Sequence, residues 1–298
     1  MKRISLLLIT LLAINPLYVS AATGDKPGGF VESLQMPAWY DRDGETFPLK
    51  AGTKIYARDV IRTGKNSRAL IRMQEGSIIK LGQDTKLNIS ALAPQEQKNG
   101  IFAALLRITR GAFRFTTTKL GRDHRRNIDV KIGTVSVGIR GTDIWGRSAE
   151  NEDLFALLEG KVTVQRDGEE KFIMQDKLSY ILAPKNQPTT AVAPIDLDKL
   201  DDWADETEMQ QGQGIITADG EWAVNMMSLQ NPEAAAQLQQ KLNDAGYATD
   251  IQQTQIDKTT WLRVRIEGFS TRDDASSLAS RMTNQYGIQS PWVTSSKI

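Results

Sequence analysis

The chain has 298 residues, 40% of them hydrophobic and 24% charged, enough for about two domains with buried cores. Its 37 Lys and Arg nearly cancel 36 Asp and Glu, which excludes a wholly basic nucleic-acid binder and an acidic disordered chain. With no Cys and one His, His124, there is no material for thiolate or imidazole metal cages, a cysteine nucleophile or an iron–sulfur centre, and no metal or cofactor is expected.

Lys2-Arg3, an apolar run from Ile4 to Leu12 thinning toward Val19, and the small residues Ser20-Ala21-Ala22 read as a secretory signal peptide over residues 1–21, cleaved after Ala21. Asn15-Pro16 interrupts the run, which is shorter than the ~20 apolar residues of a bilayer span, so cleavage is expected over retention as an anchor. No later segment approaches that length, and the mature chain is expected to have no transmembrane span. Residues 45–183 follow as short alternating runs between glycines, such as Lys86-Leu87-Asn88-Ile89, Val135 to Arg140 and Lys161 to Gln165. Period two with frequent turn residues predicts an all-β domain, a sandwich, barrel or roll. Only Ile101 to Ile108 hints at a helical period.

Residues 184–218 change texture. Pro184, Pro188 and Pro194 precede an acidic stretch, Ile195 to Glu208, with seven acids against Lys199. Leu197, Leu200, Trp203 and Ala204 fall at helical spacing, which predicts a short amphipathic helix packed back on the β domain, then a Gln/Gly-rich linker from Gln210 to Gly214. Residues 219–298 read as two similar halves. Each starts at a Trp (Trp222, Trp261), passes a helix-start signal (Asn231-Pro232, Thr271-x-x-Asp274), carries an apolar stripe and stops at Gly (Gly246, Gly287). With strands at Ala248 to Thr254 and Gln289 to Val293 the order is β-α-β-β-α-β, a ferredoxin-like α+β fold with both helices on one sheet face. Charge follows these units: Glu45 to Ala183 holds 24 bases against 16 acids, and Ala218 to Ile298 holds 7 against 9.

The segments "WAVNMMSLQNPEAAAQLQQKLNDAGY" and "WLRVRIEGFSTRDDASSLASRMT" resemble the SPOR domain, over about Gly220 to Val293. That resemblance implies binding of septal peptidoglycan, in particular glycan strands stripped of stem peptides, on the helix-free face of the sheet. Strand alternation puts Leu262, Val264 and Ile266 on the helices and leaves Trp261, Arg263 and Arg265 on the free face. In the first strand Trp222, Val224 and Met226 form the core set, so Asn225 and Met227 face the ligand, with Ser228 at the strand end and Trp292 on the edge strand. Aromatic faces stack on sugar rings, while Arg and Asn donate to hydroxyls, acetamido carbonyls and carboxylates. The sequence departs from the family at Asn225, where Gln is usual, and at Ile266-Glu267-Gly268-Phe269, where Val-Gly-Pro-Phe is usual.

The β domain resembles a FecR-type domain over about Ala51 to Val164, through "DVIRTGKNSRALIRMQEGSIIKLGQDTKLNI", "VKIGTVSVGIRGTDIWGR" and "LLEGKVTV". Relatives relay an iron-uptake signal across the inner membrane. Without a mature span, the fold and a ligand- or protein-binding role are what the resemblance carries here. Arg140-Gly141-Thr142-Asp143 reads as a turn locked by glycine. Lys119, Arg122, Arg125 and Arg126 form a basic loop fit for an anionic partner.

These readings converge on a non-catalytic periplasmic envelope protein, enriched at the division septum, with peptidoglycan glycan strands at its C-terminal domain and an unnamed second ligand or protein at the β domain. The alternatives are a peptidoglycan-cleaving glycosidase with a carboxylate pair, for which no pair stands out, and a FecR-type signalling adaptor.

Overall fold

The computed structural model describes residues 26–93, 101–117, 125–139 and 141–296. The expected signal peptide, Lys119, Arg122, His124 and Arg140 lie outside these residues, as does the side chain of Arg125.

Alternating burial builds two sheets that share one long strand. The first runs, strand by strand, through Ile215–Thr217, Gly29–Gln35, Arg68–Met73, Ile78–Leu81, residues 111–116, Asp143–Ser148, Glu152–Glu159, Ser179–Pro184 and Ala193–Pro194, all antiparallel. The second runs through Glu45–Pro48, Ala38–Arg42, Val60–Thr63, Lys86–Ala93, residues 101–108, Arg125–Ile132, Val135–Ile139, Val162–Arg166 and Phe172–Met174. Its one parallel pair joins residues 101–108 to Arg125–Ile132.

The window with a hint of helical period is therefore the start of a strand, Ile101–Thr116, with Phe102, Ala104, Leu106 and Ile108 buried in alternation. This strand passes from one sheet to the other at Gly111. There φ is +85°, and a Cβ would lie 2.2 Å from Thr85 Oγ1, so no other residue fits. Ile71, Phe113, Phe115 and Phe155 of the first sheet meet Leu87, Leu106, Val130 and Val137 of the second in one core. The all-β unit is a two-layer sandwich.

The strands begin before residue 45. Gly29–Gln35 and Ala38–Arg42 are interior strands of the two sheets, and Val31 and Leu34 are fully buried. A bulge between Val31 and Ser33 breaks the period-two pattern that would have marked the first of them.

The acidic stretch forms helix α1, Leu197–Thr207, against the outer face of the first sheet. Trp203 stacks on Trp145 with ring centroids 5.0 Å apart and planes 7° apart, and Tyr180 meets it edge-on at 5.7 Å. Acids near the end of a helix oppose its dipole, and α1 has no base in its last turn. The sheet supplies the missing cations. Arg147 Nη1 donates to Glu206 at 2.7 Å, Lys80 Nζ to Glu208 at 2.5 Å, and Arg68 Nη2 to the Asp205 carbonyl at 2.8 Å. Burial pushes the Glu206 carboxyl above the ordinary carboxylate value, with Arg147 pulling the other way. Leu197, expected on the packing face, is 72% exposed. The bases lie under the C-terminal half of α1; in its first turn Lys199 sits over the Tyr180 ring and Leu200 packs on the Trp145 cluster, while Leu197 points away from the sheet.

The C-terminal sheet has the order Trp292–Ser295, Trp222–Leu229, Thr259–Phe269, Asp250–Ile256, all antiparallel, as a ferredoxin-like fold requires. Helices α2, Pro232–Asp244, and α3, Arg272–Tyr286, bury Ala235 and Leu242, and Ala275, Leu278, Ala279 and Met282. Asn231 caps α2 by accepting from Glu233 N and Ala234 N, and Thr271 caps α3 by accepting from Asp274 N.

This unit is fastened to the sandwich. Ile215–Thr217 pairs with Gly29–Gln35 on one side and, at Ile216, with Phe269 on the other. Gln35 and Gln210 exchange side-chain and backbone hydrogen bonds at 3.0 and 3.1 Å. Asp274 Oδ1 accepts from Gly214 N and Ile215 N, both at 3.0 Å. The Gln/Gly-rich stretch is pinned at both ends.

Trp203→Ala removes the aromatic sandwich that seats α1, and is expected to lower stability by ~2–4 kcal/mol. Thermal melts check it. An unchanged melting temperature would make α1 a tether.

Candidate functional site

The C-terminal sheet carries α2 and α3 on one face and no helix on the other. Cross-strand pairing assigns each side chain. Val224 lies beside Ile266, itself followed two residues back by Val264, on the helix side. On the free side run three rows: Trp292, Asn225, Arg265 and Asp250; Ser228, Arg263 and Gln252; Trp261 and Thr254.

Two residues expected to meet a ligand do not offer themselves to one. Asn225 is 0% exposed, and its amide donates to the Trp292 carbonyl at 3.3 Å and to Thr294 Oγ1 at 3.0 Å. It fastens the edge strand to the sheet, a task for which the shorter Asn suffices. Arg265 is 5% exposed; Nη1 donates to Gln252 Oε1, and Nε lies 3.0 Å from Glu267 Oε1. Glu267 thereby finds a cation within the sheet. Both residues are corrected from contact to positioning.

Met227 is a third correction. A bulge between Asn225 and Met227 makes Met226 the extra residue, buried in the core, and leaves Met227 opposite Val264 and half-buried. Two-fold alternation cannot be carried through a bulge.

Trp261, Arg263 and Ser228 are half-buried, and Trp292 is 36% exposed. From Trp292 to Trp261 the register spans two strand spacings and four residues along the strand, roughly 16 Å. Between them lies the half-buried guanidinium of Arg263, whose Nε is buried without a hydrogen-bond partner. Asn225 Oδ1 and Arg265 Nη2 are likewise unpartnered but enclosed beneath the face. Chemically the face offers two indole faces for stacking with guanidinium, hydroxyl and amide groups between them. Gln252 and Thr254 were missed by the sequence reading. Their signal is parity: every second residue of Asp250–Ile256 shares the face.

Of the basic loop, Arg126 Nη1 donates to Ser77 Oγ at 3.3 Å, and its other members lie outside what can be described. Among the described residues no cluster of three or more Asp, Glu or His side chains forms a metal-donor set.

The profile of the FecR protein family matches residues 59–163, and that of the SPOR domain matches residues 218–295. The chain carries a FecR domain followed by a SPOR domain. No curated protein matches it. It is similar to two crystal structures of a protein from Parabacteroides distasonis ATCC 8503 described as an anti-sigma factor. The first is 12% identical over 76% of this chain and 91% of that one, with a TM-score of 0.40. The second is 11% identical over 76% and 92%, with a TM-score of 0.39. SPOR and FecR domains are binding and regulatory rather than catalytic units; the SPOR domain supports peptidoglycan binding and the FecR domain an envelope signalling or adaptor role. No helix among the described residues is long and apolar enough to cross a membrane.

Because Asn225 ties the SPOR edge strand, Asn225→Ala is expected to lower stability by ~1–3 kcal/mol. The glycan affinity of the fraction that remains folded stays within about twofold. Denaturant melts and binding at a temperature below both transitions separate the two effects, and a large affinity loss with unchanged stability would restore Asn225 as a contact residue.

Proposed function

We propose that the protein is an exported, non-catalytic envelope protein that docks on septal peptidoglycan through the helix-free face of its SPOR domain. In this reading residues 1–21 are removed on export to the periplasm. The sandwich, with the acidic helix and linker of residues 184–218, presents a second binding surface at the septum. The observation that carries it is the face built from Trp261, Arg263, Ser228 and Trp292, two partly open indoles around a half-buried guanidinium. Glycan strands without stem peptides expose sugar rings, hydroxyls, acetamido groups and carboxylates, the groups this set can stack on and donate to. A glycosidase would release muropeptides; retention on sacculi without release is expected here.

The face and the core give opposite outcomes. Trp261→Ala and Arg263→Ala each remove an interaction of ~1 kcal/mol or more, so each is expected to weaken retention on amidase-treated sacculi about tenfold with the fold intact. A fluorescent fusion of either full-length variant is expected to lose mid-cell enrichment. Val264→Ala, on the helix side, is expected to cost ~1–3 kcal/mol of stability and leave the folded fraction binding normally. A reversal of these roles would mean that the strand is read one residue out of register.

A further inference from the structure

The second sheet of the sandwich has an open groove that glycan docking does not use. It crosses Arg125–Ile132, Val135–Ile139, Val162–Arg166 and Phe172–Met174, and its volume is about 570 Å³. Asp129 stands at one wall, Ser136, Thr163 and Gln165 line its length, and Lys161 and Lys171 stand at the other wall. None of the three charged groups has an ion-pair partner among the described residues.

The floor is Gly138, paired with Asp129 on one side and Thr163 on the other. Glycine weakens a strand, so its presence in one calls for a reason. The other strand glycines have one. A Cβ at Gly29, Gly111, Gly146 or Gly268 would lie within 3.0 Å of a neighbouring atom. Gly138 has neither a positive φ nor a crowded site: the nearest atom to its Cβ would be Asp129 Oδ1 at 3.6 Å, an ordinary contact. What a side chain would do is fill the groove.

We propose that this groove binds a short zwitterionic peptide, its ammonium at Asp129 and its carboxylates at Lys161 and Lys171. Among the described residues no aromatic ring lines the groove, so they supply no stacking platform for a sugar. The charges are polarised across it: from the row of Asp129, Lys161 lies two strands away and Lys171 three, each also two residues along the strands, roughly 12 and 16 Å. An extended peptide rises ~3.3–3.6 Å per residue, so about four or five residues bridge that distance. Gly138 lets the peptide backbone approach the sheet, and the intervening hydroxyls and amide can pair with it.

The test titrates the full chain with stem peptides released from sacculi by amidase, the same peptides acetylated at their amines, and denuded glycan. Stem peptides are expected to bind, and Gly138→Val, Asp129→Asn and acetylation are each expected to weaken that binding tenfold or more. Denuded-glycan binding is expected to be unchanged in both variants, and Gly138→Val to melt at the wild-type temperature or higher. The proposal is overturned by stem peptides that do not bind, by wild-type affinity in Asp129→Asn or for acetylated peptide, or by loss of glycan rather than peptide binding in Gly138→Val. A lowered melting temperature in Gly138→Val also overturns the argument from the glycine. Failure of the SPOR reading shows separately, as absent denuded-glycan binding in wild-type protein.

Discussion

Strand Gly29–Gln35 sits between Arg68–Met73 of the FecR sandwich and Ile215–Thr217, the strand that leads into the SPOR sheet. A buried strand must satisfy its backbone groups on both edges, and here the two edges are supplied by different domains. Residues just beyond it extend the seam: Trp39 Nε1 donates to the Asp244 carbonyl at 3.0 Å, and Arg281 Nη1 to the Met36 carbonyl at 3.2 Å. Lys50 and Asp250 form an ion pair across it at 2.7 Å. That exposed pair adds little by itself. The buried ladder and the shared core, which runs without a break from Val31 through Ile216 to Val264, set the relation between the two domains.

The larger elements were legible because their patterns are local. Caps at Asn231 and Thr271, the stripes of α2 and α3, and the alternating runs of the sandwich all appear at the expected places. What escaped the reading depends on contacts distant in sequence. The start at Gly29 was hidden by a bulge and by nearby glycines that look like a leader. The pinning of Gln210 to Gly214 needs Gln35 and Asp274, neither of them near in the chain.

The free face of the SPOR sheet was legible in its parity and not in its burial. Alternation assigned Trp261, Arg263 and Arg265 to one side, and the register agrees. Alternation says nothing about which members of a face are covered. Asn225 and Arg265 share the row of Trp292, where side-chain hydrogen bonds to neighbouring strands and the Glu267 carboxylate occupy them. Met227 failed for a different reason, since the bulge at Met226 shifts the pairing by one and no composition signal marks it.

Charge shows the same division between pattern and use. The sequence from Glu45 to Ala183 holds more bases than acids, 24 against 16. On the first sheet much of that excess is already matched within the chain: Lys80 and Arg114 reach Glu208, Arg147 reaches Glu206, and Arg114 also pairs with Asp143 of the Arg-Gly-Thr-Asp segment. Glu208 and Asp143 thus share one guanidinium, which links that segment to the end of α1. With that face taken by α1, the open face of the second sheet is where the sandwich has groups left to offer. A seam made of backbone pairing, rather than a flexible linker, fixes the distance from there to the SPOR face. Any second contact on the wall would then form at an effective concentration set by geometry, high for partners at matching spacing and near zero for others.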